Sequence, residues 1–267
     1  MIAIQPAEFE ELKKFMYDKY GIDLSKKKQL IEGRLSNLIL AKGFNNFKDY
    51  LKCVYSDATG AELTVLVNKL TTNHTYFMRE TSHFDFYRDT VLPELEKTVR
   101  SKNLGIWSAG CSSGEEPSTL SMINYEYFGA NSGWDTRILA TDISDRVLEI
   151  AKKGVYTNEA VDAFPKELIR KYMTPTNGGY KFIDPIKKNI IYRKFNLMDN
   201  FNFKKKFHVI FCRNVMIYFD NKTKHELVNK FYDATEPGGY LFIGHSEYLD
   251  KDSIRYKYIM PAVYQKR

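Results

Sequence analysis

An acidic residue follows a short apolar segment in the middle of the chain, Ala140-Thr-Asp142-Ile143. The pattern from Arg137 to Thr141 is typical of a buried strand, so Asp142 stands at its carboxyl end. An acid in that place of a nucleotide-binding fold accepts hydrogen bonds from ribose hydroxyls and disfavours the 2′-phosphate of NADP. The alternative role of Asp142 is to cap the next helix, which Ser144 or Asp145 could do instead.

A glycine-bearing loop, Ser108 to Pro117 with the sequence SAGCSSGEEP, follows another strand-like segment. Gly110 and Gly114 allow the backbone to turn tightly and to approach a ligand closely. In doubly wound folds such a loop borders the crevice in which nucleotides bind. The same glycines also suit a turn that binds nothing, so the loop alone does not decide between the two interpretations.

Two carboxylates, Glu115 and Glu116, lie at the start of the helix predicted after this loop. The loop lacks the G-x-G-x-x-G pattern, and a pyrophosphate at a helix N-terminus would be repelled by the two acids. S-adenosylmethionine has no phosphate, and its sulfonium and amino groups tolerate nearby carboxylates. The pair therefore favours S-adenosylmethionine over NAD, although the two acids also suit simple complementation of the helix dipole.

Two further stretches concentrate polar and aromatic side chains. The first, FCRNVMIYFD from Phe211 to Asp220, follows a buried strand and is expected to open on the crevice; the alternative is an ordinary loop whose last aspartate caps a helix. The second, LTTNHTYFMRE from Leu70 to Glu80, has the composition of a half-buried site, but chemistry alone does not place it near the crevice. The polar candidates in the first stretch are Arg213, Asn214 and Tyr218.

Strands and helices alternate from about Leu104 onwards, which predicts a parallel sheet covered on both faces. The predicted strands are Leu104 to Ala109, Arg137 to Thr141, Phe207 to Cys212 and Tyr240 to Ile243. The predicted helices are Glu116 to Phe128, Asp145 to Lys153 and Thr223 to Thr235.

One stretch interrupts this alternation. Asn177-Gly178-Gly179 is a turn signal, and the segments Tyr180 to Ile183 and Ile190 to Phe195 on its carboxyl side are strand-like. The pattern predicts a small antiparallel hairpin that precedes or merges with a strand of the sheet.

The first 80 residues instead show apolar side chains at helical spacing, which predicts helices whose apolar faces form a core. The three apolar stripes are Phe9, Leu12, Phe15 and Met16; Ile31, Leu35, Leu38 and Ile39; and Leu63, Leu66, Val67 and Leu70.

Composition narrows the class of protein. The chain has 267 residues, 43% of them hydrophobic, with no apolar run of the roughly 20 residues that a membrane span needs. It also lacks a signal-peptide pattern, and its three scattered cysteines suit a reducing compartment, so we expect a soluble intracellular protein. The five histidines show no zinc-site spacing, so no structural metal is expected. A net charge of +7 favours an anionic partner of unspecified kind.

Four stretches together resemble the CheR family of chemotaxis-receptor glutamate methyltransferases. They are TTNHTYFMRE, WSAGCSSGEEP, FCRNVMIYFD and GHSE, in the order and at the separations of that family. The chain departs from the family at Met78, where phenylalanine is usual, and at Ser118, where an aromatic residue is usual. The resemblance implies a helical N-terminal domain (1–80), a linker helix (81–103) and a Rossmann-like S-adenosylmethionine-dependent methyltransferase domain (104–267) with a small antiparallel β-subdomain at about 176–195.

The resemblance also implies roles for individual residues. Arg79 and Tyr218 are the family positions closest to the transferred methyl group, so they are the catalytic candidates. Other positions would contact the methionine, ribose or adenine parts of S-adenosylmethionine. The predicted cofactor-binding residues are Asn73, Thr75, Arg79, Gly110, Glu116, Asp142, Asn196, Leu197, Arg213 and Asn214.

The activity implied is methylation of glutamate side chains, giving methyl esters and S-adenosylhomocysteine. The implied partner is the cytoplasmic helical bundle of chemotaxis receptors, with the enzyme acting as a monomer in the cytoplasm. A nucleic-acid methyltransferase is the first rival, but the Asp- or Asn-Pro-Pro-aromatic tetrad of amino-methylating DNA enzymes is missing after Cys212. A binding module without catalytic activity is the second, and the intact polar residues of all four stretches disfavour it.

The N-terminal region is also expected to carry a stripe of basic side chains. On a helix from about Ser25, Lys27, Arg34 and nearby Lys42 would lie opposite the apolar face. Ordinary solvation of an exposed helix explains such a stripe equally well. The family resemblance adds an acidic receptor bundle as a partner that the stripe would attract.

Overall fold

The computed structural model describes residues 2–130, 132–250 and 254–267. Across them, a helical bundle leads into a large sheet flanked by helices, with a second, small sheet on one side. None of the helices in these ranges combines the length and apolar character needed to cross a bilayer.

The N-terminal region is all-α, as predicted. The side chains of the apolar stripes form its core: Leu12, Ile31, Leu35 and Leu66 are fully buried. Gly21 ends the first helix in the left-handed conformation, with φ of 67°. The helices are α1 (Pro6–Tyr20), α2 (Lys28–Ala41), α3 (Phe47–Ser56) and α4 (Ala61–Leu70).

The predicted linker, 81–103, is helical over most of its length and packs on the large sheet. Its Phe84 and Tyr87 rings are buried against Phe211 of the large sheet. The Tyr87 hydroxyl donates a 2.7 Å hydrogen bond to Asn124 Oδ1. The linker consists of α5 (Thr81–Phe86), a π-helical turn (Tyr87–Val91) and α6 (Leu92–Thr98).

The large sheet has seven strands in the order β6-β2-β1-β7-β8-β10-β9. The first five run parallel to one another, and β10 pairs antiparallel with both β8 and β9. Its strands are β1 (Ile106–Ala109), β2 (Ile138–Asp142), β6 (Ile190–Lys194), β7 (Phe207–Cys212), β8 (Thr235–Ile243), β9 (Lys257–Met260) and β10 (Val263–Gln265). Its longer helices are α7 (Glu115–Phe128), α8 (Asp145–Lys153) and α12 (Asn221–Ala234).

The small sheet is antiparallel, in the order β3-β5-β4. Its elements and the short helices beside it are β3 (Val155–Tyr156), α9 (Asn158–Val161), α10 (Lys166–Tyr172), β4 (Met173–Thr176), β5 (Gly179–Phe182) and α11 (Asp184–Lys188).

The predicted pairing within the hairpin was wrong. The segment Gly179–Phe182 pairs backwards with Met173–Thr176 across the Asn177-Gly178 turn, and not with Ile190–Lys194. The latter segment is β6, which runs parallel to β2 at the edge of the large sheet. The physical reason lies between them, where Pro185 starts the short helix α11 and separates the two strands.

The N-terminal domain is docked at the end of the sheet where the predicted site lies. The Asp23 N–H donates to the Tyr218 carbonyl at 2.9 Å, and Asn196 Nδ2 donates to the Lys19 carbonyl at 2.8 Å. Gly21 allows this approach, because a Cβ there would lie 2.6 Å from the Met198 sulfur.

The predicted basic stripe does not form. Arg34 Nη1 donates to the carbonyl of Leu70 at 3.0 Å, and its Nη2 donates to Thr72 Oγ1 at 2.8 Å. Lys42 pairs with Glu62 at 2.5 Å. Lys27 lies over the Tyr218 ring, with Nζ 4.6 Å from the centroid. Arg34 thus binds the segment after α4, Lys27 lies at the site and Lys42 pairs with α4, so the three cations do not form one free row.

Candidate functional site

A pocket opens at the carboxyl ends of β1, β2, β6 and β7, under the segment that leaves α4. Every predicted cofactor-binding and catalytic residue lines it, although the five stretches that supply them are far apart in the chain. The lining includes Asn73, Thr75, Arg79, Gly110, Glu116, Asp142, Asn196, Leu197, Arg213, Asn214 and Tyr218.

Residues of the N-terminal domain also line the pocket, and sequence reasoning missed them. They carry no motif, and only the docking of α1 and α2 brings them to the site. A polar or aromatic residue near a helix end is too common a pattern to have identified them. They are Tyr20, Ile22, Leu24, Lys27 and Leu30.

The loop after β1 is shaped by a close approach to the loop after β7. Gly110 has φ of 88°, in the left-handed region that favours glycine, and a Cβ there would lie 2.3 Å from Val215 Cγ2. The N–H groups of Gly110 and Cys111 both donate to the Thr141 carbonyl, at 2.8 and 2.9 Å. The glycine of the motif therefore serves packing of the two loops as well as the pocket surface.

Asp142 is buried at the end of β2, and both its oxygens accept backbone hydrogen bonds. Oδ2 accepts from Ser112 and Oδ1 from Ser144, each at 2.9 Å. Burial raises the pKa of Asp142, and the N–H bonds from Ser144 and Ser112 oppose the rise. The side chain that caps α8 is that of Ser144, which accepts from the Val147 N–H. Asp142 is therefore not the helix cap, and its remaining lone pairs face the pocket that it lines.

Glu116 lies in the first turn of α7 with its carboxylate in a polar network. Its Oε1 accepts from the Ser108 hydroxyl at 2.7 Å, and its Oε2 lies 3.1 Å from Arg213 Nη1. Burial raises the pKa of Glu116, while the Arg213 charge lowers it. The neighbouring Glu115 accepts instead from the Ser113 hydroxyl at 2.7 and 2.9 Å, and it does not line the pocket.

Arg213 joins three segments of the chain. Its Nη2 and Nε donate to Glu80 Oε2, at 3.1 and 3.3 Å, on the side opposite Glu116. Its Nη2 also donates to the Arg79 carbonyl. With only 3% of its side chain exposed, this guanidinium fixes the end of β7 against α7 and against the start of the linker. Arg213 therefore holds three walls of the pocket together.

Asn214 has an unusual backbone and an unused acceptor. Its φ is 59°, which is uncommon for a residue other than glycine. Its Oδ1 is buried and has no hydrogen-bond partner among the described residues. An orphaned acceptor is costly unless something binds it, so Asn214 offers an oxygen to a donor group of a ligand.

The segment between α4 and α5 crosses the pocket mouth. The Asn73 carbonyl accepts from the Ser112 hydroxyl at 2.8 Å. Arg79 Nη1 donates to the His74 carbonyl at 3.0 Å, and its guanidinium lies 5.7 Å from the Tyr76 ring centroid. No carboxylate of the described residues forms an ion pair with Arg79, so its guanidinium can meet an incoming anion.

A histidine pair lies beside the pocket, which sequence spacing did not reveal. One ligand atom from each of Glu80, His83 and His245 falls within 4.8 Å of the others. The Glu80 oxygens are already used by Arg213 and by the His245 N–H. The Nε2 atoms of the two histidines are 3.1 Å apart, and burial with the nearby Arg213 charge lowers the pKa of His83 to about 4. A neutral His83 hydrogen-bonded to His245 accounts for this geometry.

The thiols are poor candidates for covalent chemistry. Burial raises the pKa of Cys111 and of Cys212, and nearby carboxylates raise both further. A thiol in an apolar, negatively charged environment is a weak nucleophile at neutral pH. The pocket therefore suits the positioning of a ligand and an external nucleophile more than catalysis by an enzyme nucleophile.

The chain matches two family models end to end. One, described as CheR methyltransferase, all-alpha domain, matches residues 7–71, and the other, CheR methyltransferase, SAM binding domain, matches residues 73–264.

Similar proteins point the same way. A chemotaxis protein methyltransferase of Borreliella burgdorferi is 46% identical over 272 residues, which cover 99% of this chain and 96% of that one. A probable chemotaxis protein methyltransferase of Rhizobium etli is 39% identical, over 87% of this chain and 89% of its own length. The structure of PKMT2 from Rickettsia typhi in complex with AdoHcy aligns with 53% of this chain and 21% of that chain, at 15% identity and a TM-score of 0.34.

Proposed function

Because the chain belongs to the CheR methyltransferase family, we propose that it methylates glutamate side chains of chemotaxis receptors with S-adenosylmethionine as the methyl donor. The chain is a methyltransferase of the chemotaxis type, and its S-adenosylmethionine-binding domain spans residues 73–264. What we propose beyond this class is that the substrate is a glutamate side chain. One observation carries it: the pocket joins Arg79, a cation with no carboxylate partner among the described residues, and the Tyr218 phenol to a wall whose buried Cys111 thiol is a weak nucleophile.

The residues of the pocket fit S-adenosylmethionine. Asn214 Oδ1, buried without a partner, is an acceptor for the amino group of the methionine part. Asp142 is anchored by two backbone N–H groups and has lone pairs left for the ribose hydroxyls. The carboxylates of Glu116 and Asp142 suit a cationic ligand and would repel a phosphate.

The remaining roles follow the family resemblance. Asn73, Thr75 and Arg79 reach over the cofactor from the segment after α4. Asn196 and Leu197, after β6, contact the adenine region; Asn196 is also tied to the N-terminal domain through the Lys19 carbonyl. Arg213 and Glu116 hold the wall near the methionine part as an ion pair.

The reaction needs no general base, because a glutamate carboxylate with a reference pKa of about 4.3 is ionised near neutral pH. S-adenosylmethionine supplies an electrophilic methyl group on its sulfonium sulfur when bound. Arg79 orients the substrate carboxylate through charge-assisted hydrogen bonds, and Tyr218 does so through its hydroxyl. Burial of the carboxylate in the pocket removes water from the nucleophile and aligns it with the methyl group, which can supply several kcal/mol.

The partner proposed is the cytoplasmic helical bundle of a chemotaxis receptor, met by the enzyme as a monomer in the cytoplasm. The exposed aromatic and cationic groups around the pocket mouth, Tyr76 and Lys28 among them, suit an acidic helical surface. The net charge of +7 acts in the same direction.

Incubation with radiolabelled S-adenosylmethionine tests the proposal. Purified receptor cytoplasmic fragments should acquire label that mild base releases as methanol, because a carboxyl methyl ester is base-labile. Label on nucleic acid offered in the same reaction would support the rival methyltransferase class instead. Binding of S-adenosylmethionine without transfer to any receptor fragment would support a binding module.

A further inference from the structure

The loop after β8 carries the stretch Gly244-His-Ser-Glu247, which takes no part in the roles assigned above. It lies beside the turn that follows β7, because the two strands are neighbours in the sheet. That turn, Asn214 to Tyr218, supplies several pocket-lining side chains. Glu247 itself is buried and does not line the pocket.

The Glu247 carboxylate gathers backbone N–H groups from both loops. Its Oε2 accepts from Asn214 at 3.0 Å and from Gly244 at 2.5 Å, and its Oε1 accepts from Ile217 at 3.2 Å. We call this arrangement the Glu247 clamp: the carboxylate with the N–H groups of Asn214, Gly244 and Ile217. The carboxylate therefore binds the turn at its first residue, Asn214, and at Ile217, the residue before Tyr218.

The turn depends on these hydrogen bonds to keep its conformation. The left-handed backbone of Asn214 is strained and persists only when its surroundings impose it. The N–H groups of Asn214 and Ile217, at part-buried positions, would otherwise lose this acceptor, which is unfavourable. A carboxylate accepts such bonds about twice as strongly as a neutral oxygen does.

Two more contacts tie the same loop to the pocket wall. The His245 N–H donates to Glu80 Oε1 at 3.0 Å, and Glu80 in turn holds Arg213. Gly244 allows the close packing, because a Cβ there would lie 2.4 Å from Asn214 Nδ2. The loop after β8 thus sets the position of both residues that follow β7.

We propose that Glu247 is a positioning residue of the methyl-transfer site, which acts by fixing the turn that presents Asn214 and Tyr218. The inference rests on the proposed function for its activity assay. It predicts that turnover and cofactor affinity are affected to different extents. Loosening the turn weakens the one cofactor contact assigned to Asn214, whereas Asp142 and the other cofactor contacts lie on other strands. Tyr218, which orients the substrate, lies in the turn, so turnover is impaired more than cofactor affinity.

The test compares Glu247→Gln with Tyr240→Phe. An amide keeps one acceptor oxygen and sets an NH₂ group against the remaining N–H donors, at nearly unchanged volume. Tyr240 lies earlier on β8, and Tyr240→Phe removes its part-buried hydrogen bond to Glu94 of α6. Both residues lie outside the pocket lining, so this variant controls for loss of stability alone. Turnover on receptor fragments, S-adenosylmethionine affinity by calorimetry and the melting temperature are measured for each.

Glu247→Gln should lower kcat about tenfold or more and change the Kd for S-adenosylmethionine less than about threefold. Tyr240→Phe should lower the melting temperature without changing kcat. Glu247→Asp, whose shorter side chain keeps the charge but falls short of Ile217, should be impaired as well. Unchanged kcat in a folded Glu247→Gln protein overturns the proposal, as does an equal loss of kcat in Tyr240→Phe.

Amide hydrogen exchange of the wild-type protein gives a readout that needs neither a folded variant nor a substrate. The amides of Asn214 and Ile217 should exchange at least about a hundredfold more slowly than unprotected amides, although both lie in a loop. Rapid exchange at both would overturn the clamp. If instead wild-type enzyme shows protected amides but methylates no receptor, the proposed substrate is wrong while the Glu247 clamp stands.

Discussion

Arg213 and Glu116 form a buried ion pair at the back of the pocket, with Nη1 and Oε2 3.1 Å apart and 3% and 14% of their side chains exposed. Removal of one partner from a buried pair leaves the other charge without compensation. We expect Arg213→Met to lower the free energy of unfolding by about 3–5 kcal/mol. Urea denaturation measures the loss.

The exposed pair Arg137–Asp135 provides the matched control, since 61% of the Arg137 side chain is exposed. Arg137→Met should cost less than about 1 kcal/mol. In the double variant Arg213→Met with Glu116→Gln, part of the loss should be recovered because one buried charge has gone with its partner. A double variant less stable than Arg213→Met alone would contradict the burial argument.

Asp142 should strengthen cofactor binding while lowering the stability of the folded protein. Asp142→Ala should weaken S-adenosylmethionine binding by about 1–3 kcal/mol, because the ribose hydroxyls lose their charged acceptor. Calorimetric titration measures the change in affinity. Unchanged affinity in a folded variant would remove Asp142 from the binding site.

The effect of Asp142 on stability has a pH dependence of known sign. Burial raises its pKa in the folded protein, so folding disfavours the ionised form once the pH exceeds the unfolded value of about 3.9. Asp142→Asn, which resembles the protonated form, should therefore equal or exceed the wild-type stability at neutral pH, and this difference should close as the pH falls below that value. Asp57→Asn is the control of opposite sign: hydrogen bonds from the Glu62 N–H and from Thr59 lower the pKa of Asp57 to about 2. Its loss should destabilise the protein above about pH 3.9, and the effect should disappear as the pH falls to about 2.

The parts of the site that sequence could predict are those with local signals. Asp142 and Gly110 follow strands whose apolar pattern is unambiguous, and parallel strands bring their carboxyl ends together whatever the details of the fold. The family resemblance then added the segment around Arg79, which chemistry alone had left unplaced.

The parts that sequence did not predict depend on contacts between distant segments. The partner of Ile190–Lys194 is β2 instead of the nearby β5, because α11 intervenes. A helical wheel placed Arg34 on an exposed face but could not show the carbonyl groups that it binds there. Glu247 was visible within a motif, yet its three N–H donors come from two loops that only the sheet makes neighbours.

Arg79 should matter for turnover and little for folding. Its guanidinium donates to the His74 carbonyl and otherwise lies over Tyr76, so Arg79→Ala should change the free energy of unfolding by less than about 1 kcal/mol. Turnover on receptor fragments should fall strongly, since the substrate carboxylate loses the group that orients it. Arg79→Lys should restore little, because lysine lacks the planar fork.

The control for Arg79 is Arg255→Ala. It removes the same charge from a surface arginine that pairs with Asp233 and stacks on Tyr232, outside the pocket lining. Its turnover should be normal. Near-normal turnover of Arg79→Lys would show that charge without the fork suffices, and normal turnover of Arg79→Ala would exclude it from catalysis.

The receptor-facing charge should reside in Lys26 and Lys28. Both are exposed at the start of α2, beside Lys27 at the pocket, whereas Arg34 and Lys42 already have partners within the protein. Attraction to an acidic bundle would mainly speed encounter, and salt would screen it over a Debye length of about 8–10 Å. We therefore expect Lys26→Glu with Lys28→Glu to raise the apparent KM for receptor and to flatten its dependence on salt, with S-adenosylmethionine affinity unchanged.

Lys204→Glu with Lys205→Glu makes the same charge change in an exposed segment before β7, at the other end of the sheet, and should leave the KM close to the wild-type value. Steady-state kinetics at low and high salt separate the cases: equal effects of the two double variants would mean that only net charge matters, and no effect of either would place receptor recognition elsewhere.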